Sequence, residues 1–402
     1  MKADQFMEEL FSNATVFRDE AVFSLDYIPE ELIHREEQLR ELITYFKQVV
    51  KNPFGYHQSV LLEGPVGAGK TALARRFGQL VEDFAQNNDS LAPNAIKYVH
   101  VNVRKHRTVS LILTQILSQF IPFFPIRGYS SQELLLQFKD IVKKRQLHVI
   151  LSLDEIDYLF RDQETGKKEK ENDLLYTLTR MNEDSSEMSG RVSLLLATRD
   201  PNFRSYLDES TRSSLSRNRV LLHSYAESQL GNILSLRVKD GFVDGAIDKE
   251  VILLTAKIAS RANGDARCAL DLIWRAGKKA DQERASSVLC EHVRQAQLAV
   301  IQFQRGLFTA LQSHEKSCLL AVCRALEETQ TAVIRSPILE NYLQTVKESF
   351  QLEIPTVGEL PRVLKRLSDI DLLAVEKVNS GKGAEISLLD IPISILENAL
   401  LS

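Results

Sequence analysis

Two rhythms of apolar residues alternate along the first half of this 402-residue chain. Short runs (Val60-Leu61-Leu62, Ile96 to Val103, His148 to Leu153, Val192 to Thr198 and Arg219 to His223) read as buried strands. Between them apolar positions recur every three or four residues, the spacing of a helix with one covered face. Such segments follow Lys70 and run from Leu111 to Phe120, from Gln132 to about Lys144 and from Asp173 to Asn182. Leu32, Leu39, Leu42, Ile43 and Phe46 mark another, for which Pro29 suits the start. Strands separated by helices predict a parallel doubly wound sheet of five strands, with ligands at their carboxyl ends.

The rhythm then changes twice. Residues 224–302 carry helical spacing only, which predicts a small all-α unit. Beyond them, helices are expected near His314–Glu328, at Ser336–Phe350 and from about Thr356. Two β segments follow, Leu372–Val378 and Ala384–Leu388, joined by Asn379-Ser-Gly-Lys-Gly383. Three helices and a glycine-tipped hairpin make a winged-helix pattern. The expected division is a base at 1–223, a helical lid at 224–302 and a winged helix at 303–402. Residues 1–15 read as a loosely held terminus, and Arg161 to Glu171 as a solvated loop.

Composition adds limits rather than identity. The apolar share of 44% and charged share of 26% are ordinary for a globular protein. No apolar run reaches membrane-spanning length, and the first residues lack a secretory apolar core. The four cysteines have no zinc or redox spacing and read as reduced thiols, so the expected location is cytoplasmic. A net charge of −4 argues against strong indiscriminate binding to DNA, although a local basic face is compatible with it.

Chemistry concentrates in two stretches. Gly64-Pro65-Val66-Gly67-Ala68-Gly69-Lys70-Thr71-Ala72 lies between a strand and a helix, the setting in which a glycine-rich loop cradles phosphates. Glycines let the backbone approach the anion, and the N–H groups at the helix start face it. Lys70 can reach the outer phosphates of ATP, and Thr71 can offer its hydroxyl to Mg²⁺. The strand ending in Asp154-Glu155 supplies the complement: Asp154 for Mg²⁺, Glu155 to orient the attacking water.

Other stretches leave alternatives open. His34-Arg35-Glu36 alone reads as a solvated first turn with surface ion pairs. The connection Ile121-Pro-Phe-Phe-Pro-Ile-Arg127-Gly-Tyr129 reads equally as a capped apolar corner or as an exposed wedge for a minor groove. In the tail, Arg362, Lys365 and Arg366 share one helix face, with Lys377 and Lys382 on the wing as the weaker pair, since so few cations grip phosphates poorly. DNA is the favoured ligand of that face, and protein is the alternative.

Taken together these residues resemble the archaeal origin-recognition initiators, AAA+ ATPases similar to the largest eukaryotic origin recognition complex subunit and to the replication licensing factor. The likeness is carried by Phe17-Arg-Asp-Glu20, Tyr27-Ile-Pro-Glu-Glu-Leu32, His34-Arg-Glu-Glu37, the phosphate loop, Val101-Asn-Val-Arg-Lys-His-Arg-Thr108, Leu153-Asp-Glu-Ile-Asp157 and Gly264-Asp-Ala-Arg267. It implies that Val16, Phe17 and Ile28 pack on adenine with His34 and Arg35 nearby, and that Arg267 reads the γ-phosphate. It implies too that the insertion around 105–131, with Arg127, widens a minor groove while the winged helix grips the adjacent major groove. The implied partners are origin DNA, the replicative minichromosome maintenance helicase and other initiator copies, with a nucleoid-associated location and no membrane.

Two positions depart from the family. Thr198-Arg199 stands where an asparagine is usual, and Leu207-Asp208 is followed by Glu209-Ser210 rather than Pro-Arg, with Arg212 close behind. A finger arginine is worth about 10³–10⁵ in turnover, so slow hydrolysis is expected, with nucleotide acting mainly as a latch. The competing expectations are a diverged nucleotide-holding paralogue and a clamp-loader-like remodeller.

Overall fold

The computed structural model describes residues 15–24, 26–88, 91–92, 95–160, 174–179, 181, 191–215, 218–297, 311–329, 334–350, 352–356, 358–370, 372–377, 384–388 and 400. It falls into two compact units. One comprises Ser24–Ile233 with Gly264–Arg267, and the other Met1–Phe23, Leu234–Asn263 and Cys268–Ser402.

The first unit is built on five parallel strands: β1 (Ser59–Glu63), β2 (Ile96–Asn102), β3 (His148–Asp154), β4 (Val192–Thr198) and β5 (Arg219–Leu221). Their order across the sheet is β2-β3-β4-β1-β5. Every residue of β1, β3 and β4 is buried, as expected of strands covered on both faces. Helices α1 (Glu36–Lys51), α2 (Lys70–Gln86), α3 (Val109–Ser118) and α4 (Ser131–Lys144) flank them, with the short α5 (Glu209–Ser214) before β5. Leu42, Phe46 and Phe77 close one face of the sheet, and Ile112, Ile116 and Phe138 the other.

Local signals explain most boundaries. Thr108 caps α3, and Ser130 with Glu133 forms a reciprocal capping box on α4. The first helix is the exception. It starts at Glu36 and not at Pro29, because His34 takes a left-handed φ of 64° that no helix can continue through. Of the helix expected at 173–182, residues 174–179 are described and helical, and the loop expected at 161–171 lies outside the described residues.

In the second unit, residues 15–23 pack against α6 (Glu227–Gly241) and α8 (Ala266–Gln282), which are separated by α7 (Lys249–Arg261). Asp281 accepts hydrogen bonds from the Val16 N–H and the Thr15 hydroxyl, and the Phe17 ring stacks on Phe242 at 4.6 Å. Gly277 permits that stack, since a Cβ there would meet both rings. Gly277→Ala should therefore lower stability by about 1–3 kcal/mol through overpacking, read by chemical denaturation.

The tail forms a winged helix: α9 (Ser313–Thr329), β6 (Ile334–Arg335), α10 (Ser336–Phe350), α11 (Leu360–Asp369), β7 (Leu373–Lys377) and β8 (Ala384–Leu388). Its sheet runs β6-β8-β7, so the expected hairpin gains a third strand of two residues. Leu319, Leu339, Leu364, Leu367 and Ile386 belong to its own apolar core. Cys318 and Cys323 are buried there, neither in a disulfide, and burial pushes the Cys318 thiol up to about 12, which leaves it unreactive. Among the described residues no helix is long and apolar enough to cross a membrane.

Candidate nucleotide-binding site

The carboxyl ends of four strands are brought into register, Glu63 beside Thr198 and Asn102 beside Asp154. The glycine-rich loop leaves β1 there and turns into α2 through Gly69, whose φ of 91° suits glycine. Lys70 is buried, and its ammonium donates to the carbonyls of Gly64 at 2.6 Å and Pro65 at 2.8 Å. Burial lowers its pKa to about 8, opposed by Asp154 and reinforced by the neighbouring charge of Arg267. Arg267 is itself exposed.

Opposite the loop, the Thr71 hydroxyl donates to Asp154 at 2.6 Å. A hydroxyl and a buried carboxylate are hard oxygen donors, the set that Mg²⁺ takes from protein when phosphates and water complete its octahedron. No cluster of three or more His, Cys, Asp or Glu among the described residues offers a self-sufficient metal cage. The residues fit a metal that arrives with its nucleotide.

Glu155 has a left-handed φ of 55°, and its carboxylate accepts from the Asn102 amide at 3.0 Å. The carbonyl oxygen of the same amide accepts the Lys105 N–H at 3.1 Å. Asn102 thus joins the acidic strand end to the basic turn Arg104–Arg107, a link no motif in the sequence announces. Asp157, also without an assigned role in the sequence, is buried and receives the Thr198 hydroxyl at 3.2 Å and the Arg199 guanidinium at 3.6 Å. Arg199 also donates to the Tyr158 hydroxyl at 3.0 Å. The Arg212 guanidinium is turned back onto the Leu207 carbonyl at 2.8 Å.

Arg35 requires one correction. It is 4% exposed, so it is no solvated first-turn residue. Its guanidinium donates to the carbonyls of Ala68 at 2.9 Å, His34 at 3.1 Å and His223 at 2.5 Å. The His34 ring contacts the Asn232 amide at 3.1 Å. Ile28 is half-buried in this unit, whereas Val16 and Phe17 are buried in the other unit at 3% and 5% exposure. The Phe17 side chain packs against α8 and Phe242, and the Val16 carbonyl accepts the Val243 N–H at 2.9 Å.

The connection between α3 and α4 combines both expected characters. Phe124 is buried and stacks on Tyr129 at 5.7 Å, while Phe123 and Ile126 are exposed beside exposed Arg127. On α11, Arg362, Lys365 and Arg366 are all exposed, opposite the buried Val363, Leu364 and Leu367. Arg366 is also paired at 2.7 Å with the buried Glu315 carboxylate. Lys377 ends β7, its side chain outside the described residues, and Lys382 lies outside them altogether.

A family model described as an AAA domain matches residues 55–207, and one described as a Cdc6 AAA+ ATPase-type lid domain matches residues 231–298. ORC1-type DNA replication protein 2 of Saccharolobus solfataricus is 28% identical over 98% of this chain and 94% of its own length. ORC1-type DNA replication protein 1 of Methanosarcina acetivorans is 29% identical over 99% and 93%. The solved Aeropyrum pernix ORC1 protein in complex with DNA superposes with a TM-score of 0.68 at 28% identity, covering 96% of this chain and 97% of that one.

The chain resembles the ORC1-type DNA replication proteins over nearly its whole length. Its likeness to Cdc6p from Pyrobaculum aerophilum, TM-score 0.61 at 26% identity over 96% of this chain and 98% of the other, agrees. An AAA+ base with a Cdc6-type lid supports nucleotide binding and ATPase chemistry in general. In this chain the acidic strand end and the phosphate loop are in contact, and an interior arginine stands where the sequence alone reads a surface one.

Proposed function

We propose that this protein is a replication initiator that binds ATP at residues 64–72, holds origin DNA through its insertion and winged helix, and helps recruit the replicative helicase. The observation that carries the nucleotide half is the 2.6 Å contact between Thr71 and the buried Asp154, next to a buried lysine. Lys70 and the loop N–H groups would hold the phosphates, with Arg267 at the outermost one. Thr71 and Asp154 would hold Mg²⁺, which supplies charge neutralisation on the phosphate oxygens. Glu155, released from Asn102, would orient the water. Ile28 and His34 would line the adenine side. The working division remains base 1–223, lid 224–302 and winged helix 303–402, acting at the nucleoid.

DNA contact is assigned to Arg127 with exposed Phe123 and Ile126, and to Arg362, Lys365 and Arg366, with Lys377 and Lys382 as secondary wing contacts. A DNA-bound relative of matching length supports this assignment. Arg362→Ala should weaken binding across DNA sequences and lower the salt slope by about 0.9, with stability unchanged. Arg366→Ala should also destabilise the fold by about 1–3 kcal/mol, because the buried Glu315 carboxylate loses its cationic partner while keeping the Gln312 N–H. Equal melting of the two variants would show that the ion pair carries no stability.

Hydrolysis is expected to be slow. A second reading, a nucleotide-holding paralogue with little turnover, is favoured by the Thr198 hydroxyl being tied to Asp157 and Arg212 to its own turn. Single-turnover hydrolysis decides between the two. DNA footprinting with and without residues 303–402 tests the assignment: unchanged affinity after truncation would favour a protein remodeller instead.

A further inference from the structure

We propose that Arg35 and Tyr225 form a brace that fixes the phosphate loop against the Gly264–Arg267 turn, making both positioning residues of the nucleotide site that do not touch the nucleotide. The roles of the loop and of Arg267 rest on the nucleotide reading above; the brace itself rests on geometry.

The three carbonyls that Arg35 engages belong to three separate segments: the loop at Ala68, the approach to α1 at His34, and the exit of β5 at His223. The guanidinium also lies over the Tyr225 ring, 3.9 Å from its centroid. Burial lowers the arginine's pKa, opposed by Tyr225 and by Glu36. A desolvated cation needs such compensation, here from carbonyl dipoles and the π face.

The consequence for the loop follows from peptide geometry. In a planar trans peptide the C=O of Ala68 and the N–H of Gly69 point in opposite directions. Holding the Ala68 oxygen on Arg35 therefore turns the Gly69 N–H away from the arginine, as a donor free to meet an anion. Tyr225 packs against the same glycine, since a Cβ at Gly69 would come within 2.8 Å of its hydroxyl.

Tyr225 carries the link onward. Its N–H donates to the Gly264 carbonyl at 3.2 Å, and Gly264 has a φ of 66° with no room for a Cβ against the Tyr225 backbone. The turn returns to the loop through the Ala266 N–H, which donates to the Gly67 carbonyl at 3.3 Å. Asp265 sits against Gly67 and accepts from the Arg267 N–H at 2.7 Å. Arg267 is thereby registered against the loop from both sides. A lysine at position 35 would keep the charge but could not engage three carbonyls in one plane.

Hydrogen exchange on the nucleotide-free full-length protein tests the brace without any ligand. Arg35→Lys should speed exchange of residues 64–71 and 264–267 by about tenfold or more, with the winged helix unchanged. Tyr225→Leu should do so to a smaller extent, and Tyr225→Phe, which keeps the ring and loses only the hydroxyl's bond to Arg35, less again. Nucleotide titration then separates the roles. Arg35→Lys should lose about tenfold or more in affinity for both ATP and ADP, whereas Tyr225→Leu should mainly narrow the preference for ATP over ADP. Unchanged loop exchange in Arg35→Lys, or faster exchange spread evenly over the chain, overturns the brace. A wild type that binds neither nucleotide overturns the proposed function, and the exchange data still decide the brace.

Discussion

Glu155→Gln slows single-turnover hydrolysis of bound ATP by about 10²–10⁴-fold, the usual worth of a general base, while ATP affinity stays within about threefold. The reason lies in its placement. Glu155 follows Asp154 at the end of β3, and the left-handed backbone there lets its own N–H bond the Asp154 carboxylate at 3.0 Å. Its side chain is held by Asn102 and touches none of the groups assigned to phosphate or metal. The glutamine is isosteric and still accepts from that amide, so binding is preserved while the proton acceptor is lost. Quenched-flow measurement with stoichiometric enzyme reads the step directly. Equal rates in the two proteins would mean that water is activated elsewhere or that hydrolysis plays no part.

Lys70→Ala should abolish measurable ATP binding, a loss of about 100-fold or more for removing a charge-assisted contact to phosphate from a desolvated site. The wild-type lysine also makes binding pH-dependent. Its pKa in the free protein is about 8, lowered chiefly by burial, against 10.5 in its ordinary state. Between these values an unfolded chain holds more protons than the folded one, so this group adds stability as pH rises from 8 to 10.5. Nucleotide acts in the opposite direction: the arriving triphosphate favours the ammonium, so binding takes up a proton above pH 8. Affinity should then fall with rising pH by up to about tenfold per unit. Calorimetry in buffers of different ionisation heat, without added Mg²⁺, reads the proton count. No uptake at pH 9 would show that the lysine is already charged in the free protein.

How much of this was legible in the sequence depended on range. The phosphate loop and the Asp154-Glu155 strand end are local patterns whose chemistry follows from adjacent residues, and the fold brings them within hydrogen-bond distance. The five strands, the all-α segment and the winged helix follow from spacing alone. What spacing could not give was set by distant partners. Pro29 looked like a helix start until the left-handed turn at His34 displaced it to Glu36. Strand β6 has two residues and exists only because β8 lies beside it. Arg35 stands among glutamates in sequence yet is claimed by carbonyls 33 and 188 positions away. Asn102 and Asp157 lie in stretches that carry the likeness but had no role assigned to them, and Tyr225 lies outside all of those stretches, since their contacts arise where distant segments meet. Arg366 shows the reverse case: its place on a basic helix face suggested DNA, and its pairing with Glu315 gives it a second, structural role.

The strand order also has a bearing on synthesis. β1 emerges early, carrying the loop that follows it, but both of its sheet neighbours are encoded far downstream, at 192–198 and 219–221. While a ribosome is still making those segments, the apolar residues of β1 have no lateral partner. Parallel pairings of such long sequence separation form slowly and leave apolar segments exposed to aggregation in the meantime. The nascent base is therefore a natural client for chaperones until translation has passed residue 221, well before the winged helix has been made.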